Sequence, residues 1–124
     1  LSGKLVGDVI EWRRTPAGAE LSDKEFAVLL TIADRVLDER ARDMRRFKND
    51  DCDLYDRLCQ VAKVSPQGLK KILQRLAERG LDVRVVWKRD KNGDPVYAAK
   101  GHAMDFRLPE LPAFARIVAA EEVA

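Results

Sequence analysis

The chain has 124 residues, 46% of them apolar and 35% charged, with a net charge of +2. That suits one soluble domain, long enough to bury a core without metals or disulfides. No apolar run approaches the ~20 residues of a membrane span, so no membrane segment is expected. Cys52, Cys59 and the lone His102 supply neither a disulfide framework nor a four-ligand zinc site. Free thiols and a reducing, cytoplasmic setting are therefore expected. "LSGKLVGDVIEW" has no basic stretch ahead of an apolar core, so no signal peptide is expected. Because it opens without Met, the chain reads as an excised piece of a longer protein with a tag remnant. The near-neutral total hides an asymmetry. Residues 1–60 carry −2, residues 61–101 carry +6 and residues 102–124 carry −2. Concentrated positive charge is the footprint of a polyanion binder.

In chain order, "LVGDVIEWRR" (5–14) predicts a short helix or extended arm docked by Val6, Val9, Ile10 and Trp12, broken by "TPAGAE". Residues 1–20 are thus expected to form an N-terminal arm or short helix. "LSDKEF" then carries a capping box, Ser22 with Glu25, and a staple pair, Leu21 with Phe26. Phe26, Leu29, Leu30, Ala33 and Leu37 continue the apolar stripe, predicting a helix from Asp23 to Arg40. "ERARDMRRFKNDDCD" reads as a frayed helix end and a loop pinned by Met44 and Phe47. Its acidic run lacks the glycine and distal Glu of a calcium loop, so it reads as a turn capping the next helix at Asp53. Leu54 to Val61 predicts a helix with Leu54, Leu58 and Val61 inward.

"KVSPQGLKKILQRLAERG" (63–80) has both its ends marked. Ser65 suits the N-cap, Pro66 the first helical position and Gly80 the left-handed residue after the end. Leu69, Ile72, Leu73 and Leu76 form one apolar stripe, and Gln67, Lys70, Lys71, Gln74 and Arg75 lie opposite. Beyond Gly80 the pattern becomes β-like: "LDVRVVWK" and "VYAAK" joined by "RDKNGDP", with Asn92-Gly93 as a hairpin-turn signal. Alternation puts Arg84, Val86 and Lys88 on one side, and Val83, Val85 and Trp87 on the inner side. Tyr97 is expected to pack beside the hairpin. "HAMDFRLP" predicts a third short strand, and "ELPAFARIVAAEEVA" a helical tail.

"LYDRLCQVAKVSPQGLKKIL", followed by a hairpin rich in Arg and Lys, resembles the winged helix-turn-helix superfamily over residues 21–108. More narrowly, "LQRLAERGLDVRV…DKNGDPVYA…G…FRLP" resembles winged-helix proteins of actinobacterial plasmids and phages, which act in replication, transfer or repression. The resemblance implies an α+β, mainly helical fold: a three-helix core and a β-hairpin wing, with extra segments at 1–20 and 109–124. It departs from the motif at Lys63, where the turn usually has Gly. A left-handed lysine is costly, which predicts a longer turn.

The resemblance implies double-stranded DNA binding, with the 65–79 helix in the major groove. Its contacts would come from Ser65, Gln67, Gly68, Lys70, Lys71, Gln74 and Arg75. Gln can pair with adenine and Lys with guanine there. Gly68 would allow close backbone approach or avoid a clash with the preceding helix. Arg84, Lys88, Arg89 and Lys91 of the 82–100 wing are candidates for phosphates, and Arg89 or Lys91 for the minor groove. His102 is a further phosphate candidate. Neither a nucleophile–base motif, a phosphate-binding glycine loop nor a metal cluster is evident, so no enzyme, cofactor or small-molecule ligand is expected. The alternative is a protein–protein interaction or dimerisation module, with Leu111, Phe114, Ile117 and Val118 offering a homodimer contact.

Overall fold

The computed structural model describes residues 3–35, 46–47 and 54–112. Its first helix, α1 (Gly3–Arg13), buries Leu5, Val9 and Trp12 against the core. Val6 is half-buried, and Ile10, expected to dock, is 44% exposed. The segment expected to break the chain instead makes a single helical turn, α2 (Pro16–Ala19), because Thr15 caps it by accepting from the Gly18 N–H at 3.1 Å.

The capping box of α3 (Asp23–Arg35) forms as its spacing requires. The Glu25 N–H donates to Ser22 Oγ at 3.1 Å, and the Ser22 N–H donates to Glu25 Oε1 at 2.9 Å. The buried stripe of α3 is Val28, Leu29, Ile32 and Ala33, while Phe26 and Leu30 are only partly buried. The buried stripe is thus rotated from the expected one, and α1 and the next two helices of the chain all pack on α3. Arg13 ties the two helices together. Its guanidinium donates to the carbonyls of Gly18 and Leu21 and to Asp23 Oδ1, and lies 5.0 Å from the Phe26 ring centroid.

Helix α4 (Leu54–Ala62) buries Leu54, Leu58, Cys59 and Ala62, and leaves Val61 46% exposed rather than inward. Its end explains the departure at Lys63. Lys63 adopts the left-handed conformation, with φ at 60°, and the Val64 N–H donates to the Cys59 carbonyl at 3.0 Å. The turn into the next helix is therefore short, and a lysine occupies the position that favours glycine. Lys63→Gly is expected to stabilise the fold by about 1 kcal/mol, read by denaturant unfolding. A neutral or negative change would show that the turn holds no such strain.

Helix α5 (Pro66–Glu78) ends on Gly80, with φ at 81°. The Gly80 N–H donates to the Ala77 carbonyl at 3.0 Å and the Leu81 N–H to that of Leu76 at 2.8 Å, so these two carbonyls of the last turn are satisfied. The chain then joins a small sheet. The loop expected around Phe47 contains a short strand, β1 (Arg46–Phe47), which pairs antiparallel with β4 (Phe106–Arg107). Arg84 bridges Phe106 as well, and the Val85 N–H and the Arg107 N–H hold residues 83–85 to 105–107 at 3.1 and 2.8 Å. Three segments thus run side by side in the order 46–47, 106–107, 83–85, with Phe106 fully buried between them.

The hairpin beyond is shorter in strand than its sequence suggested: β2 (Lys88–Arg89) pairs with β3 (Pro95–Val96). Its turn is a three-residue loop, Lys91 to Gly93, closed by Asp90 N–H to the Asp94 carbonyl at 3.0 Å. Gly93 alone supplies the left-handed residue, with φ at 82°, and Asp90 Oδ1 accepts from the N–H groups of Asn92 and Asp94. Among the described residues, no helix is long and apolar enough to cross a membrane. Pro109 and Leu111 are buried, and the Trp12 indole donates to the Pro112 carbonyl at 2.8 Å, joining the start of the tail to α1. Cys52, Met44, the cap expected at Asp53, the end of the second helix and the helical tail lie outside the described residues.

Candidate nucleic-acid interface

Local chemistry fixes α5. Ser65 Oγ accepts from the Gly68 N–H at 3.1 Å, Pro66 opens the helix, and the Tyr55 hydroxyl donates to the Pro66 carbonyl at 3.0 Å. Leu69, Ile72, Leu73 and Leu76 are each at most 3% exposed, so the face opposite must point outward. Gln67, Lys70, Lys71, Gln74 and Arg75 all lie on that exposed face. Ser65 and Gly68 have work inside the fold. The serine hydroxyl serves the cap, and a Cβ on Gly68 would stand 3.1 Å from Val64 Cβ in the turn.

On the hairpin, Lys88, Arg89 and Lys91 are exposed, with Arg89 Nη1 donating across the turn to the Gly93 carbonyl at 2.9 Å. Arg84 differs from them. Its Nε lies 2.9 Å from Asp82 Oδ1, and its guanidinium sits 4.0 Å from the centroid of Tyr97, whose hydroxyl reaches Asp82 at 3.5 Å. This cluster braces the base of the hairpin and commits the Arg84 side chain. A cleft of about 320 Å3 separates α5 from the hairpin, lined by Tyr55, Lys70, Leu73, Arg84, Tyr97 and Met104 among others.

Trp87 is not an inward residue. It is 41% exposed, as is Val86, because the hairpin projects beyond the layer that buries Val83. The indole stacks on His102, with ring centroids 4.1 Å apart and planes at 12°, and Lys88 Nζ lies 4.7 Å from its centroid. His102 is therefore half-buried under an aromatic partner, and its Nε2 has no hydrogen-bond partner among the described residues.

Arg79 also enters the segment's positive charge, yet its guanidinium is tied to the buried Glu25 carboxylate. Its Nε donates to Glu25 Oε2 at 2.9 Å, joining the end of α5 to the start of α3. No periodicity links residues so far apart in sequence. Burial would raise the Glu25 carboxyl, but the Ser22 N–H and the Arg79 guanidinium outweigh it and hold the group below the usual carboxylate range. A depressed folded pKa contributes stability above the unfolded value, lost as pH falls through the folded one. Thermal melts of the parent should therefore drop on acidification through and below the ordinary carboxylate range. Glu25→Gln should show a shallower drop, and an unchanged pH profile would refute this linkage. Burial, aided by Asp56, pushes the Cys59 thiol above its ordinary range.

Among the described residues, no group of three or more His, Cys, Asp or Glu side chains could hold a metal ion. Comparison with protein-family models, curated proteins and solved structures gives no match to this chain.

Proposed function

We propose that this chain is a winged helix-turn-helix domain that binds double-stranded DNA, with α5 in the major groove and the 82–100 hairpin on the adjoining backbone. The observation that carries the reading is the two-sided build of α5. Four apolar side chains anchor it, and Gln67, Lys70, Lys71, Gln74 and Arg75 stand exposed beside a hairpin bearing Lys88, Arg89 and Lys91. A helix of this kind fits the major groove, and its amides and cations match base edges there. The order α3, β1, α4, α5 and hairpin, with β4 between β1 and residues 83–85, supports the winged-helix architecture. So does the short turn at Lys63.

The domain acts in the cytoplasm without catalysis, in plasmid- or phage-type replication, transfer or transcription control, and as a homodimer where its site is a palindrome. The experiment is selection of bound sequences from a random duplex pool, followed by binding to single-base variants of the selected site. Lys70→Ala, Lys71→Ala, Gln67→Ala and Gln74→Ala should each melt within about 0.5 kcal/mol of the parent. Each lost base contact should remove about 1–3 kcal/mol of discrimination at one base pair. Normal melting with unchanged preference in all four would make α5 a solvated face. The protein-interaction reading would then take its place.

A further inference from the structure

Trp87 stands out among the side chains that the proposed duplex contacts do not use. Its indole is 41% exposed at the edge of the hairpin. It is nonetheless held in one orientation. The Trp87 N–H donates to the Val96 carbonyl at 2.9 Å, which fixes its backbone on the hairpin. Its ring lies nearly parallel to the His102 imidazole. His102 is itself clamped in a tight turn, with Ala99 and His102 exchanging backbone hydrogen bonds at 2.9 and 3.0 Å. The surroundings are cationic: Lys88, Arg89 and Lys91 follow on the hairpin, and Lys100 lies in the turn that carries His102.

We propose that Trp87, backed by His102, is a stacking platform for an unpaired nucleobase, so that the domain prefers DNA carrying an unstacked base beside a duplex over fully paired DNA. This inference rests on the DNA-binding reading and adds a substrate class to it. A pre-oriented aromatic ring flanked by cations is the arrangement that binds single-stranded bases. The ring takes any base by its π-face, and the cations follow the phosphates. Within a continuous duplex the faces of the bases are covered by their neighbours, so the platform is used only where a base is unpaired. Lys88 is exposed on a flexible stem, so its ammonium can leave the indole for a phosphate when a base arrives.

The test compares a blunt duplex with the same duplex bearing a short single-stranded thymidine tail, at one salt concentration. The parent should bind the tailed probe about tenfold or more tightly. Trp87→Leu should erase that preference while leaving blunt-duplex affinity within about twofold, and Trp87→Phe should keep most of it. Circular-dichroism melts check that the variants fold, and if Trp87→Leu does not, the paired comparison of parent with Trp87→Phe and His102→Ala takes over, with His102→Ala reducing the preference. Equal binding of the two probes by the parent overturns this inference and leaves the proposed function standing. A preference that survives in Trp87→Leu overturns it too. Failure of the parent to bind any blunt duplex strikes the proposed function itself.

Discussion

Raising monovalent salt from about 50 to about 200 mM should weaken duplex binding about 10³-fold, because neutralised phosphates release their counterions. The cations available for this are Lys70, Lys71 and Arg75 on α5 and Lys88, Arg89 and Lys91 on the hairpin. All are exposed, and none takes part in an ion pair among the described residues. About six contacts give a log–log slope near −5. Lys88→Ala, Arg89→Ala or Lys91→Ala should each weaken all sequences alike and lower the slope by about one. Arg79 and Arg84 provide the internal control. They count towards the segment's charge but are spent on Glu25 and Asp82, so replacing them should change stability and leave the slope nearly unaltered. Labelled-duplex titrations at several salt concentrations read all of this. A flat dependence would remove the electrostatic basis of DNA binding.

What was legible in the sequence was local. The ends of α5 are set within a few residues, by the Ser65 hydroxyl on the Gly68 N–H and by Gly80 after the last turn, and both formed where expected. The same holds for the Ser22–Glu25 box and for the apolar stripe of α5, whose moment is set by its own residues. Where packing partners decide, pattern failed. Val61 and Ile10 fit an apolar stripe, yet they are 46% and 44% exposed, because burial depends on which elements pack against a helix and not on the helix's own pattern. Strand alternation placed Trp87 inward, but the hairpin outruns the layer that would bury it. The pairing of β1 with β4 depends on two segments about sixty residues apart, and two residues are too few to show a period. At the candidate site, exposure of the α5 face was predictable from the stripe opposite. The commitment of Arg84 to Asp82 and Tyr97 was not, since charge type alone does not tell a brace from a free cation.

The Trp12→Ala variant should lose about 3–5 kcal/mol of stability, a large share of the 5–15 kcal/mol that holds a typical domain folded. Trp12 is 1% exposed and lies in one core with Leu5, Val9, Leu29 and Leu111, so its removal opens a cavity that rigid helices on several sides cannot fill. It also leaves the Pro112 carbonyl without the indole donor. Ile10→Ala, two residues earlier in the same helix and 44% exposed, should move stability by about 0.5 kcal/mol or less. The contrast tests whether the first segment is an arm appended to residues 21–108 or part of their core. Residues 21–108 alone would lack Leu5, Val9, Trp12 and Leu111, and should melt far below the full chain or fail to fold. Denaturant unfolding of the three proteins beside the parent decides it. Should Trp12→Ala unfold where Ile10→Ala does, α1 would be a detachable arm. If the packing seen here governs, Trp12→Ala will lose DNA binding only to the extent that it unfolds, because the cations of α5 and the hairpin are untouched.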